Sequence, residues 1–277
     1  MREAKRICKR LYRIINREEM LILPGQLAFF IVFSLIVIFT LIGLVCSNYV
    51  TSELVSMIEE TLPKAVYAIF KSAIETNNEE FNIIIFVICA LYIASNGCSA
   101  MIITSNALYH IKNDNFIKQK IKAFIMTIIL ILLILFTVLV PAFGEFIINL
   151  IKDHHPGRLI DTIDIIFTYL KIPLSFILIF FGVKVIYTIA PDKTISSKYT
   201  NYGALFTTVG WIISTKVYSI YLNNMGDYNV YYGSLANIVI LLFWVYILAY
   251  IFTVGIALNN ERYLDSQKVS SKKEAIK

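Results

Sequence analysis

At 277 residues the chain is long enough for one or two soluble domains, yet 58% of it is hydrophobic, only 16% is charged, and its mean hydropathy is +0.71. Soluble domains carry roughly 45–50% apolar and about 25% charged residues, so a fold bathed in water is excluded and lipid must be the solvent for much of the surface. The net charge of +6 would suit a nucleic-acid binder, but its placement along the chain gives it another meaning.

The first segment, 1–26, is basic and amphipathic. Ile7, Leu11, Ile14 and Ile15 fall on one helical face among arginines and lysines, a pattern that lies in the headgroup layer and is drawn to anionic lipid. Six apolar stretches then approach or exceed the roughly 20 residues needed to cross a bilayer: 27–47, 81–106, 123–150, 165–190, 202–222 and 235–258. The first is too long for a signal-peptide core and lacks a small-residue cleavage site after it, so it is read as retained. Between the first two, the acidic loop 49–80 repeats Leu54, Ile58, Leu62, Val66, Ile69 and Ala73 at helical spacing, which predicts a peripheral amphipathic helix. Residues 259–277 form a basic tail. The fold class is therefore all-α: a polytopic membrane protein, a six-helix bundle with peripheral amphipathic helices, and no soluble domain.

Eighteen lysines and arginines fall in the N-terminal segment, the second-to-third loop, the fourth-to-fifth loop and the C-terminal tail, against four on the opposite side. Positive charge stays in the cytoplasm, so both termini are expected on the cytoplasmic side. That rule accounts for the basic charge, and without an aromatic platform for bases, nucleic acid is not an expected partner. Membrane lipids and an unknown solute are; a second copy of the chain or a protein partner is left open.

An ionisable group inside the hydrocarbon marks a functional site by default. Lys184 and Lys216 sit within predicted spans, and the second span carries Asn96, Ser99 and Asn106 near one face. Asn96, Lys184, Lys216 and Asn237 are the candidate substrate-binding residues, each with a competing role in snorkelling or helix packing. Glu145, after Pro141 and Gly144, is a candidate partner for Lys171 or Lys216, and Tyr246, Tyr250 and Thr253 form a stripe on the last span. Enzymatic readings fail on ligand sets. His154 and His155 beside Pro156-Gly157 read as a turn, Cys8, Cys46, Cys89 and Cys98 lack metal spacing, and the cytoplasmic acids are scattered. No catalytic residue, metal or cofactor is expected.

Several motifs resemble the YihY/virulence factor BrkB family of bacterial inner-membrane proteins. Tyr202-Gly-Ala-Leu, Trp211, Tyr221 and Gly226-Asp-Tyr-Asn-Val-Tyr-Tyr-Gly-Ser-Leu-Ala236 carry the resemblance, with Leu241-Leu-Phe-Trp-Val-Tyr246 and Gly255-Ile-Ala-Leu-Asn259. Gly25-Gln-Leu-Ala-Phe-Phe30, Ser34-Leu35 and Ala190-Pro191-Asp192 extend it upstream. The chain departs from the pattern at Ala257, where members usually carry glutamate, leaving that role absent or moved to Glu261. It departs again at Val37, where a proline is common, which implies a less kinked first helix. The resemblance implies an inner-membrane protein of six spans. Members carry the label ribonuclease BN or are viewed as exporters or envelope factors; the nuclease reading lacks the clustered metal ligands that phosphodiester hydrolysis uses.

The leading expectation is a transporter or exporter of a small or amphipathic solute, anionic or lipid-like. The alternative is a non-transporting envelope scaffold that binds a partner. Tyr228, Asn229 and Tyr232, expected in a loop before the last span, form either an interfacial turn or an outer gate.

Overall fold

The computed structural model describes residues 11–46, 67, 83–154, 158–224 and 228–274. After a helical stretch at 11–15, six long helices follow in chain order: α1 (Glu19–Cys46), α2 (Ile83–Leu108), α3 (Phe116–His154), α4 (Arg158–Ile189), α5 (Asn201–Asn224) and α6 (Tyr228–Glu274), with a single 3₁₀ turn at Ser197–Tyr199 before α5. Each helix packs on the next, and α6 returns to α1, closing a ring; α2 also meets α6 across it.

The ends of the helices follow local chemistry. At the end of α2, His110 takes φ 54°, its amide donates to Ala107 O (3.1 Å), and the Ile111 amide reaches back to Asn106 O (2.8 Å). This pair of bonds is a Schellman stop, in which a left-handed residue satisfies carbonyls that the helix leaves unpaired. The polar run Lys112-Asn113-Asp114-Asn115 then separates α2 from α3. Pro24 lies in the second turn of α1 and Pro173 in the middle of α4, and neither ends its helix.

The bundle is apolar on its outside as well as in its core. Phe29, Phe33, Ile88, Phe136, Phe181, Ile213 and Phe243 face outward, while Ser95, Thr104, Ser105, Asn106, Thr207, Thr208, Thr253, Asn259 and Asn260 are buried. Lipid accommodates the first set, and small or polar residues let helix backbones approach and bond. On α1 and α2 this is direct: the Gly97 amide donates to Ser34 Oγ at 2.8 Å, and any side chain at Gly97 would strike that serine.

The helices overrun the expected spans. α1 starts at Glu19, α3 at Phe116 and α4 at Arg158, while α6 continues through the residues expected as a separate tail. Membrane thickness limits the apolar run, whereas a helix stops only where a breaker or competing bond stops it. Tyr228, Asn229 and Tyr232 stand in the first turns of α6, not in a loop. The expected amphipathic helix within 49–80 lies outside the described residues except at Tyr67, and so do residues 1–10 of the basic segment. Of that segment's apolar face, Ile14 is buried and Ile15 is exposed.

Five helices, α1, α2, α3, α4 and α6, are long and apolar enough to cross a membrane. The expected fifth span is not among them. α5 has sufficient length at 24 residues, but Asn201, Thr207, Thr208, Ser214, Thr215, Lys216, Ser219, Asn223 and Asn224 interrupt its apolar run.

Candidate functional site: the polar interior at the basic end of the bundle

Where α2 and α4 end and α3 and α5 begin, the bundle carries Lys112, Lys118, Lys120, Lys122, Lys193 and Lys198. Here helix ends are tied together by side chains from neighbouring helices.

Lys122, in the second turn of α3, reaches the end of α4. Its Nζ donates to Ala190 O (2.9 Å), Pro191 O (2.8 Å) and Asp192 Oδ1 (2.7 Å). All three ammonium hydrogens are thereby used, two of them on terminal carbonyls that α4 cannot pair internally. Asn106 of α2 holds the same acid from the other side. Its Nδ2 donates to Asp192 Oδ2 and to Asn113 Oδ1 (2.8 Å), and its Oδ1 accepts the Asp192 amide at 2.9 Å. The Asp114 amide adds a longer contact at 3.3 Å. The Asp192 side chain is only 4% exposed. Burial alone would raise its carboxyl, but hydrogen bonds from Lys122, Asn106 and Asp114, with the Lys122 charge, outweigh it and hold the group below its ordinary range.

A second set of ties joins α6 to its neighbours. Asn260 Nδ2 donates to Leu108 O at 2.7 Å, closing the end of α2, and Asn259 Oδ1 accepts the Gly203 amide at 2.7 Å, closing the start of α5. Arg17 pairs with Glu261 at 3.2 Å, fastening the N-terminal segment to α6. The Glu261 carboxylate therefore serves a packing contact, and Ala257, where the resemblance implied a glutamate, is fully buried.

Further inside, the Tyr187 hydroxyl on α4 donates to Phe252 O of α6 at 2.8 Å and stands 2.6 Å from Thr207 Oγ1 of α5. A phenol has one hydrogen, so Thr207 supplies the proton of the second bond. Gly203 and Gly255 let α5 and α6 meet here: a side chain on either would collide with the opposite backbone, Thr207 or Tyr187. Ser105 Oγ, Tyr109 OH, Asn201 Oδ1 and Asn259 Nδ2 are buried at this end without a protein partner. Buried polar atoms of this kind are normally satisfied by water or ligand, so the region can hold a polar group. It is a binding and locking arrangement. Among the described residues, no group of three or more His, Cys, Asp or Glu is placed to hold a metal ion.

The residues singled out from sequence are dispersed. Asn96 accepts a hydrogen bond from Lys120 Nζ at 2.7 Å. Lys184 is half-buried on α4, 5.9 Å from the Phe181 ring centre. Lys216 is exposed on α5. No hydrogen bond or ion pair joins these three among the described residues. The side chains of Asn237, Tyr228, Asn229, Tyr232, Glu145 and Lys171 lie outside those described. Tyr246 and Tyr250 stack loosely at 6.3 Å, and Thr253 bonds to Ala249 O of its own helix. Sequence reasoning missed the Tyr187–Thr207 pair and the role of Lys122. The available signal for the latter was a lysine opposite the Pro191-Asp192 helix stop.

The outward apolar surface, the polar interior and the five helices long and apolar enough to span define a polytopic α-helical membrane protein. The virulence factor BrkB family model matches residues 11–276, and the chain belongs to that family. It is similar to YfkH of Bacillus subtilis (strain 168), which bears a ribonuclease-like name, with 28% identity across 85% of this chain and 87% of that protein. Shorter stretches resemble UPF0761 membrane proteins: 27% identity over 30% of both chains in Haemophilus influenzae (strain Rd), and 33% over 24% of this chain and 22% of its relative in Pseudoalteromonas translucida. No solved structure gives a significant match.

Proposed function

We propose that the chain crosses the cytoplasmic membrane six times, with α5 as the sixth span and both termini in the cytoplasm, and that it moves a small or amphipathic anionic solute. Closure of the helix ring gives α5 two helical neighbours, with Thr207 and Thr208 buried within the bundle while Ile212, Ile213 and Val217 face lipid. The observation that supports movement of a solute is the buried polar interior closed by the Lys122–Asp192–Asn106 knot. Three helix ends meet on one carboxylate, and loosening it would open the interior to the cytoplasm. Lys184, one turn from Tyr187 on α4, is the cation assigned to the solute's anionic group. Asn96, Lys216 and Asn237 extend the path, and Tyr228, Asn229 and Tyr232 form the outer gate.

The test is a thermal-shift screen of purified protein in detergent against anionic lipids and small anionic metabolites, run beside the Lys184→Ala/Lys216→Ala double variant. A ligand that binds only the folded state raises its apparent stability. A shift present in the native protein and lost in the variant supports the site, and a shift unchanged by the variant removes both lysines from it. Flux of the identified ligand into proteoliposomes then decides movement.

A second reading has its own support. α6 continues as helix to Glu274, past Arg262, which lies over the Tyr202 ring of α5, and its last turns carry Lys268, Lys272 and Lys273 in sequence. Such a basic helix end suits a scaffold that recruits an acidic protein partner. A stoichiometric partner captured in detergent, lost when residues 264–277 are deleted, together with absence of flux, would favour it.

A further inference from the structure

α2 and the first turns of α3 enclose a shallow groove of about 300 Å³ on the outer surface, lined by Tyr92, Phe116, Ile117, Lys120, Ile121 and Phe124. Its apolar walls are open: Phe116 is 72% and Ile117 71% exposed, and Ile121 and Tyr92 more than half. Such walls suit acyl chains, and the one cation among them is placed unusually.

A lysine near a helix end normally extends toward water. Lys120, four residues into α3, instead turns its ammonium toward the middle of α2. Nζ donates to Asn96 Oδ1 at 2.7 Å, lies 3.5 Å from Tyr92 O, and stands 4.2 Å over the Tyr92 ring. Asn96 and Tyr92 are 12 and 16 residues before the end of α2 at Leu108, about 18 and 24 Å of helix rise. All of these partners are neutral, and no carboxylate pairs with Lys120 among the described residues. A cation turned into an apolar, lipid-facing groove is costly without an anion. Two of its three hydrogens have protein acceptors at most, which leaves one for a ligand. The surroundings reinforce the charge. The segment 109–122 carries Lys112, Lys118, Lys120 and Lys122 against Asp114 alone, and among the described residues only Lys122 of these pairs with a carboxylate, Asp192.

We infer that this groove is a binding site for an anionic phospholipid, its phosphate on Lys120 and an acyl chain along Phe116, Ile121, Phe124 and Tyr92. Charge complementarity selects an anionic headgroup, and the apolar walls select a lipid over a free phosphate. The groove shares Asn96 with the proposed solute path, so its test reads lipid retention and not flux.

Native mass spectrometry of the full-length protein in detergent, titrated with phosphatidylglycerol or phosphatidylcholine, tests it. Native protein should retain phosphatidylglycerol preferentially. Lys120→Ala should weaken that retention by about fivefold, the effect of one membrane-facing lysine, and leave phosphatidylcholine unchanged. Lys120→Arg should restore the preference, and Lys118→Ala should keep it within about twofold. Equal retention of both lipids by native protein, or equal phosphatidylglycerol retention by Lys120→Ala, overturns the site. Glycerol 3-phosphate competing as well as the whole lipid overturns the acyl-chain component. Should Lys120→Ala fail to fold, Ile121→Asp sets a carboxylate beside an intact lysine and must abolish the preference; its persistence overturns the site equally.

Discussion

Asn259 of α6 accepts the backbone amide of Gly203, the third residue of α5, at 2.7 Å. The first amides of a helix have no acceptor within it, and a side chain from the preceding turn usually supplies one. Here the acceptor comes from a different helix, 56 residues along the chain. The cap of α5 is therefore also a rivet between α5 and α6. Asn259→Ala should cost about 1–2 kcal/mol, the range of lost caps and buried hydrogen bonds. Asn259→Ser, which keeps a neutral oxygen acceptor, should cost less. Thermal unfolding in detergent reads both, and equal loss in the two variants would show that the acceptor oxygen is not what matters.

The rivet works only because two glycines let the helices touch. At Gly255 an added methyl would meet Thr207 Oγ1 and Tyr187 OH, whereas at Gly25 the nearest atom is 4.0 Å away on Tyr246. Gly255→Ala should therefore destabilise by about 1–3 kcal/mol through overpacking. Gly25→Ala, in the interior of a helix with room beside it, should be neutral or stabilising by up to about 1 kcal/mol. Comparable melting temperatures for the two variants would refute the close approach of α5 and α6.

Much of this architecture is readable from sequence, and the unread parts share a cause. Unbroken apolar runs locate α1 to α4 because lipid demands them. α6 outlasts its run because Glu261, Arg262, Leu264 and Lys268 are helix formers and no Gly or Pro intervenes before Glu274. Asn106 and Asp192 each stand out alone, one in a polar helix and one after a proline, but their meeting spans 86 positions. Lys122 reads only as one topogenic charge among many until its acceptors are seen. Tyr187 is hidden among Val183, Ile186 and Ile189, since a buried phenol has the pattern of any apolar residue.

The Asp192 knot gives a dependence on pH. Its carboxyl is held below the ordinary value in the folded protein, so the stabilisation is present at neutral pH and lost as pH falls through the folded value. Native protein should exceed Asp192→Asn in melting temperature at pH 7. The gap should narrow as pH drops below about 4, the ordinary carboxyl range. A gap unchanged between pH 7 and 3 would mean that the charge does not contribute. Lys122→Met should be the harsher change, about 3–5 kcal/mol, because it strands a buried carboxylate. Adding Asp192→Asn to Lys122→Met should recover part of that loss.

Tyr187, Thr207 and Phe252 join α4, α5 and α6 through one hydroxyl chain. Because Tyr187 gives its hydrogen to the Phe252 carbonyl, Thr207 must donate to Tyr187, and the two hydroxyls act as a unit. Tyr187→Phe removes the acceptor for Thr207 and the donor for Phe252 together, at a cost of about 1–2 kcal/mol. Thr207→Val removes one bond and should cost about 1 kcal/mol or less. In a double-mutant cycle the Thr207→Val effect should nearly vanish once Tyr187 is phenylalanine, giving a coupling of about 0.5–1 kcal/mol. Additive effects would place the two hydroxyls in separate environments and break the three-helix chain that closes the inner wall of the polar interior.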